Sequence, residues 1–194
     1  IYNLVQNHQG RIKIYAHAFV PLASACDKST FEYLKEKLIS STYKIRYSKN
    51  ALISPFREKN ALMFKMANQR SSKLIEAEVT AVFIATIDGE LVYEDLKLQL
   101  RKINFFALSW TLVHLIDEDS VMFNHTAESL KKGDAEIVIL MKAFDDSFSQ
   151  TVYSRMSYKH YEFIWNARFD SSIHNENGKI GIDLKKMDSY TKWN

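Results

Sequence analysis

The sequence contains one cysteine, two prolines and five glycines among its 194 residues. The single Cys26 excludes an intrachain disulfide and is typical of a reducing compartment; we expect it to be an ordinary small apolar residue. The low proline and glycine content excludes a collagen-like or low-complexity chain. Long apolar runs are also missing, since no stretch approaches the ~18 residues that cross a bilayer. The chain is therefore expected to be soluble.

The sequence also lacks the signatures of common active sites. It has no G-x-S-x-G, no G-x-G-x-x-G and no phosphate-binding glycine loop. Its six histidines lack the spacing of zinc ligands, and one cysteine cannot form a thiolate cluster. A net charge of +3 is too mild to predict nucleic-acid binding, because dedicated binders concentrate Lys and Arg on one face. These absences predict a protein that is not an enzyme and has no metal, cofactor or nucleic-acid partner.

Alternation of apolar and polar residues dominates what remains. In KLIEAEVTAVFIATI (73–87) every odd position from Ile75 to Ile87 is apolar, whereas Glu76 and Glu78 share the other face, which predicts a long strand buried on one side. Asp88-Gly89 predicts a hairpin turn, after which ELVYEDLKLQLR (90–101) returns. Further strands are predicted at 43–48, 61–67, 104–116, 135–144, 148–158, 161–169 and 179–184, with a second hairpin turn at Asn177-Gly178.

Helix is predicted in two short segments only. STFEYLKEKLIS (29–40) begins with a capping box, Ser29 and Glu32, and a shorter helix is expected from about Thr126 to Lys132. The one plausible boundary lies at 40–42, between the first helix and the strands. Short strands separated by turn signals predict an all-β fold, an antiparallel sandwich or barrel with one or two short helices.

The segment HLIDEDSVMF (114–123) carries three consecutive acids, which suggest a metal site, a catalytic carboxylate cluster or a corner of the fold. Calcium loops alternate their ligands and need a glycine, and consecutive side chains on an extended segment point to opposite faces. The pattern favours a turn whose Asp and Ser side chains bond local backbone amides, and we expect Asp117 and Asp119 to do so.

Four segments together resemble a known family: SKNALISPF, LMFKMANQRSSKLIEAEV, FALSWTLVHLIDEDS and EFIWNARF, in this order. Their order and spacing are similar to those of the cytoplasmic domain of inward-rectifier potassium channels, with the bacterial members closest. The resemblance covers about residues 43–184. The family's form of the acidic segment is IDEDSPLYG, and here Val121-Met122-Phe123-Asn124 replace its last four residues.

The resemblance implies an immunoglobulin-like β-sandwich that assembles as a homotetramer at the cytoplasmic face of the cell membrane. It implies no cofactor, potassium as the permeating ion, and the channel's own membrane domain as a partner. Charges that face the axis of such a ring act on permeating ions in four copies. The alternative interpretation is a soluble poreless β-sandwich module, related to the channel domain, that binds a ligand or a protein.

The resemblance also assigns roles to residues. Glu76 and Lys142 are expected to line the pore, and the alternative for Glu76 is a solvated carboxylate on a strand face. Lys142 stands where many eukaryotic channels have glutamate, which argues against strong polyamine block, and Ala143 replaces a glycine. The gating loop that constricts the pore is expected to comprise Ala143, Phe144, Asp145, Asp146, Ser147, Phe148, Ser149, Gln150 and Thr151.

Two further surfaces follow from the resemblance. The corner formed by Asp117, Glu118, Asp119 and Ser120 is expected to contact the neighbouring subunit. Lys44, Arg46 and Lys49 are candidates for binding anionic lipid headgroups, with ordinary strand-surface cations as the alternative. Residues 1–42 are interpreted as an N-terminal cytoplasmic strand and short helix, and residues 43–194 as the C-terminal sandwich. No counterpart of the family's membrane part stands at the 40–43 junction.

Overall fold

The computed structural model describes residues 45–69, 74–147, 149–176 and 178–193. The predicted helix at 29–40, the N-terminal strand and the boundary at 40–42 lie outside the described residues. Fourteen strands are found in the described part of the chain. In chain order they are β1 (Ile45–Tyr47), β2 (Ala51–Phe56), β3 (Lys59–Asn68), β4 (Leu74–Ile87), β5 (Glu90–Asp95), β6 (Lys102–Phe106), β7 (Ser109–Ile116), β8 (Glu136–Asp145), β9 (Gln150–Lys159), β10 (Phe163–Trp165), β11 (Ala167–Phe169), β12 (Ile173–Glu176), β13 (Lys179–Ile182) and β14 (Tyr190–Lys192).

Helical structure in the described residues is short, as the sequence predicts. Helix α1 (Ala127–Lys132) begins after the N-cap Thr126, whose side chain accepts a hydrogen bond from the Ser129 backbone N–H. Two 3-10 helices follow, at His160–Glu162 and Leu184–Asp188. The helix predicted from Thr126 to Lys132 is thereby confirmed.

Two five-stranded sheets are each built around one long strand. In the first sheet β3 pairs with β7 along one edge and with β1 and β2 along the other, and β10 joins β2 in parallel. In the second sheet β4 pairs with β8 along one edge and with β5 and β6 along the other, and β9 joins β8. The strand pairs β11–β14 and β12–β13 form two separate ribbons.

The inner faces of the two sheets share one hydrophobic cluster. From the first sheet Leu62, Phe64 and Met66 point into this cluster, and from the second sheet Phe83 and Ile139 do so; all five are fully buried. Alternation along β4 is confirmed by its buried residues, which are Ala77, Val79, Ala81, Phe83 and Ala85. The predicted all-β sandwich is confirmed.

Some predicted strands are interrupted where the chain leaves one sheet for the other sheet or for a separate ribbon. The segment 104–116 forms β6, which pairs with β4, and β7, which pairs with β3. The segment 161–169 likewise splits into β10 and β11 around Asn166, whose φ is 53°. Each prediction of one strand was wrong because apolar residues on both sides of the break hide the change of sheet.

The segment 90–101 also departs from its prediction. Strand β5 ends at Asp95, and Leu98 then pairs with His114 of β7 in the other sheet. The chain returns to β4 at Arg101, whose carbonyl accepts a hydrogen bond of 2.8 Å from the Val79 backbone N–H. This connection crosses the edge of the sandwich, so the alternation of Leu96, Leu98 and Leu100 does not mark a continued strand.

Strand β2 was not among the predicted strands. Its residues 51–54 are all buried, so it lacks alternation, and Pro55 argues against a central strand. The structure accommodates the proline because β10 pairs only with residues 51–53. Pro55 therefore lies beyond the end of its partner on that side, where no backbone donor is needed.

The hairpin between β2 and β3 holds Arg57 at φ 59°, in the left-handed region that disfavours a side chain with a Cβ. We expect Arg57→Gly to raise the free energy of unfolding by about 1 kcal/mol, because glycine adopts this conformation without steric cost. Urea unfolding of both proteins measures the difference. Glu58→Gly, in the same turn but without a positive φ, is the control and is expected to lower stability through added chain entropy.

Candidate functional site

The outer face of the second sheet carries exposed side chains of mixed character. Both residues predicted to line a pore, Glu76 and Lys142, are exposed, and both belong to this sheet. Large apolar groups share its exposed surface: Phe105 is 70% exposed, and Leu140 and Tyr153 are each 40% exposed. Side chains of this size are ordinarily buried, so their grouping on one sheet is typical of an interaction surface.

Glu76 is the extra residue of a β-bulge in β4. Ile75 pairs with Phe144 and Glu78 with Lys142, so Ala143 alone opposes both Glu76 and Ala77. The φ of Glu76 is 50°, the left-handed conformation of one bulge type. The bulge also changes the alternation, since Leu74 is buried where the period-two pattern predicted Ile75. Bulges of this kind re-aim one side chain, here the glutamate.

Glu78 is the centre of the charged groups on this face. It forms a salt bridge with Arg101, and strand pairing sets it opposite Lys102 of β6 and Lys142 of β8. The hydrogen bond from Arg101 and, secondarily, the charges of Lys102 and Lys142 lower the pKa of the Glu78 carboxyl. Lys142 therefore lies beside an ionised carboxylate on the strand next to its own.

Sequence reasoning noted that Glu76 and Glu78 share a face but assigned no role to Glu78. Alternation alone shows which side chains share a face of the strand, but not which residues of the neighbouring strands lie opposite them. The positions opposite Glu78 depend on the registers of β6 and β8, which no local signal in the sequence fixes.

The connection between β8 and β9 is shorter than the segment predicted to be the gating loop. Ala143, Phe144 and Asp145 are the last residues of β8, and Gln150 and Thr151 are the first residues of β9, so residues 146–149 alone connect the strands. Phe148 lies outside the described residues. Asp145 is fully buried, and its Oδ1 accepts a hydrogen bond of 3.0 Å from the Ser147 backbone N–H.

The corner after β7 is a turn, as its acid and serine content predicts. The Ser120 backbone N–H donates to the Asp117 carbonyl at 2.9 Å. Asp117 Oδ2 accepts from Lys59 Nζ at 3.0 Å, and this bond, with a smaller contribution from the Asp119 backbone N–H, lowers the pKa of the Asp117 carboxyl. Glu118 and Asp119 are exposed. The expectation that the Asp119 carboxylate caps an amide was wrong within the described residues.

Ser120 performs that capping instead, within a buried network that includes His114. The Ser120 hydroxyl accepts from the Met122 backbone N–H at 3.1 Å and lies 2.7 Å from His114 Nε2. His114 Nδ1 is 3.0 Å from the Lys97 carbonyl, which can only accept, so Nδ1 carries the proton and Nε2 accepts from Ser120. Sequence reasoning did not identify this pair, because a histidine six residues from a serine is no recognisable motif.

Burial lowers the pKa of His114 despite the Lys97 carbonyl and the Asp117 carboxylate, which oppose the shift. A base with a depressed pKa in the folded state binds protons more readily when unfolded, so stability is lost as pH falls below about 6.5. We expect the urea midpoint of the wild-type protein to fall between pH 7.5 and pH 5, and to fall less in His114→Gln, which cannot titrate. Equal falls in both proteins would assign the pH dependence to other groups.

Of the three candidate lipid-binding cations, Lys44 lies outside the described residues. Arg46 donates to Asp188 Oδ2 at 2.7 Å, and the Lys49 backbone N–H donates to Asp188 Oδ1 at 2.7 Å. Asp188 thus joins the C-terminal 3-10 helix to the chain at β1. The side chain of Lys49 is exposed.

The described residues contain neither a metal-binding cluster nor a helix that could span a membrane. Within the described ranges, no group of three or more His, Cys, Asp or Glu residues is placed to hold a metal ion. Over the same part of the chain, no helix has the length and apolar character needed to cross a bilayer.

Comparison with protein families gives a match that covers all of the described residues. Residues 45–194 match the family model of the inward rectifier potassium channel C-terminal domain. The chain belongs to this family. The match begins at the first residue of β1 and therefore includes the whole described sandwich.

Individual relatives come from bacteria and vertebrates. The chain is 32% identical over 149 residues to inward rectifier potassium channel Kirbac3.1 of Paramagnetospirillum magnetotacticum. The aligned region covers 74% of this chain and 50% of that protein. The chain is 30% identical over 154 residues to human inward rectifier potassium channel 4, covering 73% and 34% respectively. The chain thus spans a third to a half of the length of these relatives. The identity to the bacterial relative exceeds the identity to the human relative by two percentage points, so the predicted similarity to the bacterial members is only weakly supported.

Proposed function

We propose that four copies of this chain form the cytoplasmic vestibule of a potassium channel, with the outer face of the second sheet bordering the ion path. Family membership and the exposed position of Glu76 and Lys142 on that sheet support the proposal. The hairpin between β8 and β9 would form the constriction, and potassium would be the permeating ion. The chain would act without a cofactor or catalytic chemistry.

The charges on this face favour weak block by polyvalent cations. Glu76 and Glu78 contribute two acids, whereas Arg101, Lys102 and Lys142 contribute three bases in the same neighbourhood. Repetition of one residue around a ring multiplies its effect on the local potential. A vestibule with this balance would concentrate polyamines poorly, so rectification by such blockers would be weak.

The lipid contact of the proposed channel would depend on Lys49 more than on Arg46. The Arg46 guanidinium is paired with Asp188 and would have to leave that carboxylate to bind a headgroup. The exposed Lys49 side chain has no such competitor among the described residues. We extend the proposal to Lys44 on sequence grounds alone.

Light scattering coupled to size exclusion tests the assembly. We expect the purified chain to have a mass near four times its 22.6 kDa at high concentration, because a vestibule requires a closed ring. A monomer at all concentrations would instead favour a poreless binding module.

A charge reversal at the corner tests the predicted subunit contact. We expect Glu118→Lys to shift the mass toward the monomer, because the exposed corner would meet its neighbour with the wrong charge. Glu90→Lys, an equal charge change at the exposed start of β5, is the control and should leave the mass unchanged. Equal masses for both variants would remove the corner from the interface.

A further inference from the structure

A cavity of about 370 Å³ lies on the outer face of the first sheet. Its floor includes side chains of β2, β3 and β7, and its opposite wall is formed by residues 167–173 with Trp193. The volume is within the range of small-molecule pockets, roughly 300–1,000 Å³. This cavity belongs to neither the second sheet nor the acidic corner, so the proposed vestibule makes no use of it.

Lys65 occupies the floor of the cavity and is only 6% exposed. It lies near the middle of β3, between the fully buried Phe64 and Met66, on the face of the strand opposite to theirs. At a buried position of this kind an apolar side chain would ordinarily pack better than an ammonium. Burial lowers the pKa of Lys65, and the charge of Asp170 opposes this shift. A buried cation on a cavity wall requires a compensating partner.

The described residues compensate the ammonium of Lys65 incompletely. Its Nζ donates to the Asp170 carbonyl at 2.6 Å and lies 4.7 Å from the centre of the Phe169 ring. An ammonium has three N–H donors, so hydrogen-bonding capacity remains. Among the described residues no carboxylate forms a salt bridge with this nitrogen.

The other walls of the cavity are largely aromatic. Phe56, Phe169 and Trp193 line it, and Trp193 is fixed by a hydrogen bond of 3.0 Å from its Nε1 to Ser54 Oγ. The Arg168 guanidinium lies over the Trp193 ring at 5.4 Å, at the exposed side. The pocket thus combines one buried cation, hydroxyl groups and apolar rings.

We infer that this cavity is a binding site for a small monocarboxylate with an aromatic or aliphatic body, whose carboxylate pairs with Lys65. One buried ammonium balances one negative charge, and the nearby Asp170 carboxylate disfavours a more highly charged anion. The aromatic walls fit the apolar body of the ligand. The inference is independent of the tetramer and of the vestibule.

Calorimetric titration of the full chain with phenylacetate at pH 7 tests the site. We expect saturable binding, at least tenfold weaker binding of the neutral phenylacetamide, and at least tenfold weaker binding of phenylacetate to Lys65→Met. Lys65→Arg keeps the charge and should retain part of the affinity. Lys132→Met removes an exposed lysine of α1 and should bind as the wild-type protein does.

A second variant keeps the test decisive if Lys65→Met fails to fold. Ser109→Trp fills the cavity and leaves Lys65 in place, and it should abolish binding. Absence of saturable binding to the wild-type chain up to about 10 mM, a range weaker than most specific affinities, would overturn the inference. Unchanged binding by Ser109→Trp or by a folded Lys65→Met would also overturn it.

Discussion

Lys142→Glu is expected to strengthen spermine block of a channel that carries this domain by at least about tenfold. Lys142 is exposed on β8 opposite Glu78, so the substitution replaces the cation beside an existing carboxylate with a second anion. In the proposed ring the change occurs in each of four subunits. A tenfold change needs only about 1.4 kcal/mol, which a charge reversal repeated four times around a confined path readily supplies.

Patch-clamp recording with spermine on the cytoplasmic side measures this block. Lys132→Glu is the matched control, because it makes the same charge change on helix α1, outside the second sheet. The control channel should be blocked as the wild-type channel is. If both variants gain equal sensitivity, net charge and not the position of Lys142 controls the block, and the assignment of this face to the ion path fails.

Tyr158→Phe is expected to lower the free energy of unfolding by about 1–3 kcal/mol. Tyr158 is fully buried, and its hydroxyl donates to the Ser48 carbonyl at 2.7 Å. The Ser48 hydroxyl lies 3.1 Å from the Tyr158 hydroxyl oxygen and also accepts a hydrogen bond from the Lys65 backbone N–H at 3.1 Å. The substitution therefore removes a donor from a buried carbonyl in a network that joins β9, β3 and the turn after β1.

Urea unfolding measures the loss, and Tyr153→Phe supplies the comparison. Tyr153 lies on the same strand, five residues earlier, with 40% of its surface exposed, so its hydroxyl can bond water in either state. We expect a change within about 0.5 kcal/mol for this variant. If the two variants are equally stable, the buried hydroxyl contributes no more than a solvated one.

The sequence predicted the strands whose side chains face the core on one side and solvent on the other. Strand β4 is such a case, and its hairpin turn has φ values of 51° at Asp88 and 87° at Gly89, the positive values expected there. Strand β2 escaped prediction because both of its faces are buried. Alternation of apolar and polar residues appears only when the two faces of a strand differ in burial, so a strand buried on both faces lacks it.

The candidate site was predicted in part for the same reason. Exposure of Glu76 and Lys142 followed from alternation and resemblance, whereas the bulge at Glu76 and the pairing of Lys142 with Glu78 depend on long-range register. The His114–Ser120 contact joins residues of β7 and the following turn through the geometry of the corner. Contacts of this kind are decided by tertiary packing, which a local pattern does not encode.

One departure from the family pattern has a backbone explanation. The family's IDEDSPLYG ends in glycine, and this chain has asparagine at the corresponding position, Asn124, with φ 60°. Asparagine is among the residues that tolerate the left-handed region best. The turn that precedes α1 therefore adopts the left-handed conformation without a glycine.

The central position of β4 has a consequence for how the domain opens. This strand is hydrogen-bonded to β8 along one edge and to β5 and β6 along the other, so its amides are released only when neighbours on both sides separate. Amide hydrogen exchange should therefore be slowest in β4 and fast in the ribbon formed by β12 and β13, which pair only with each other. The ribbon formed by β12 and β13 can therefore open while the second sheet, which carries Glu78, stays hydrogen-bonded.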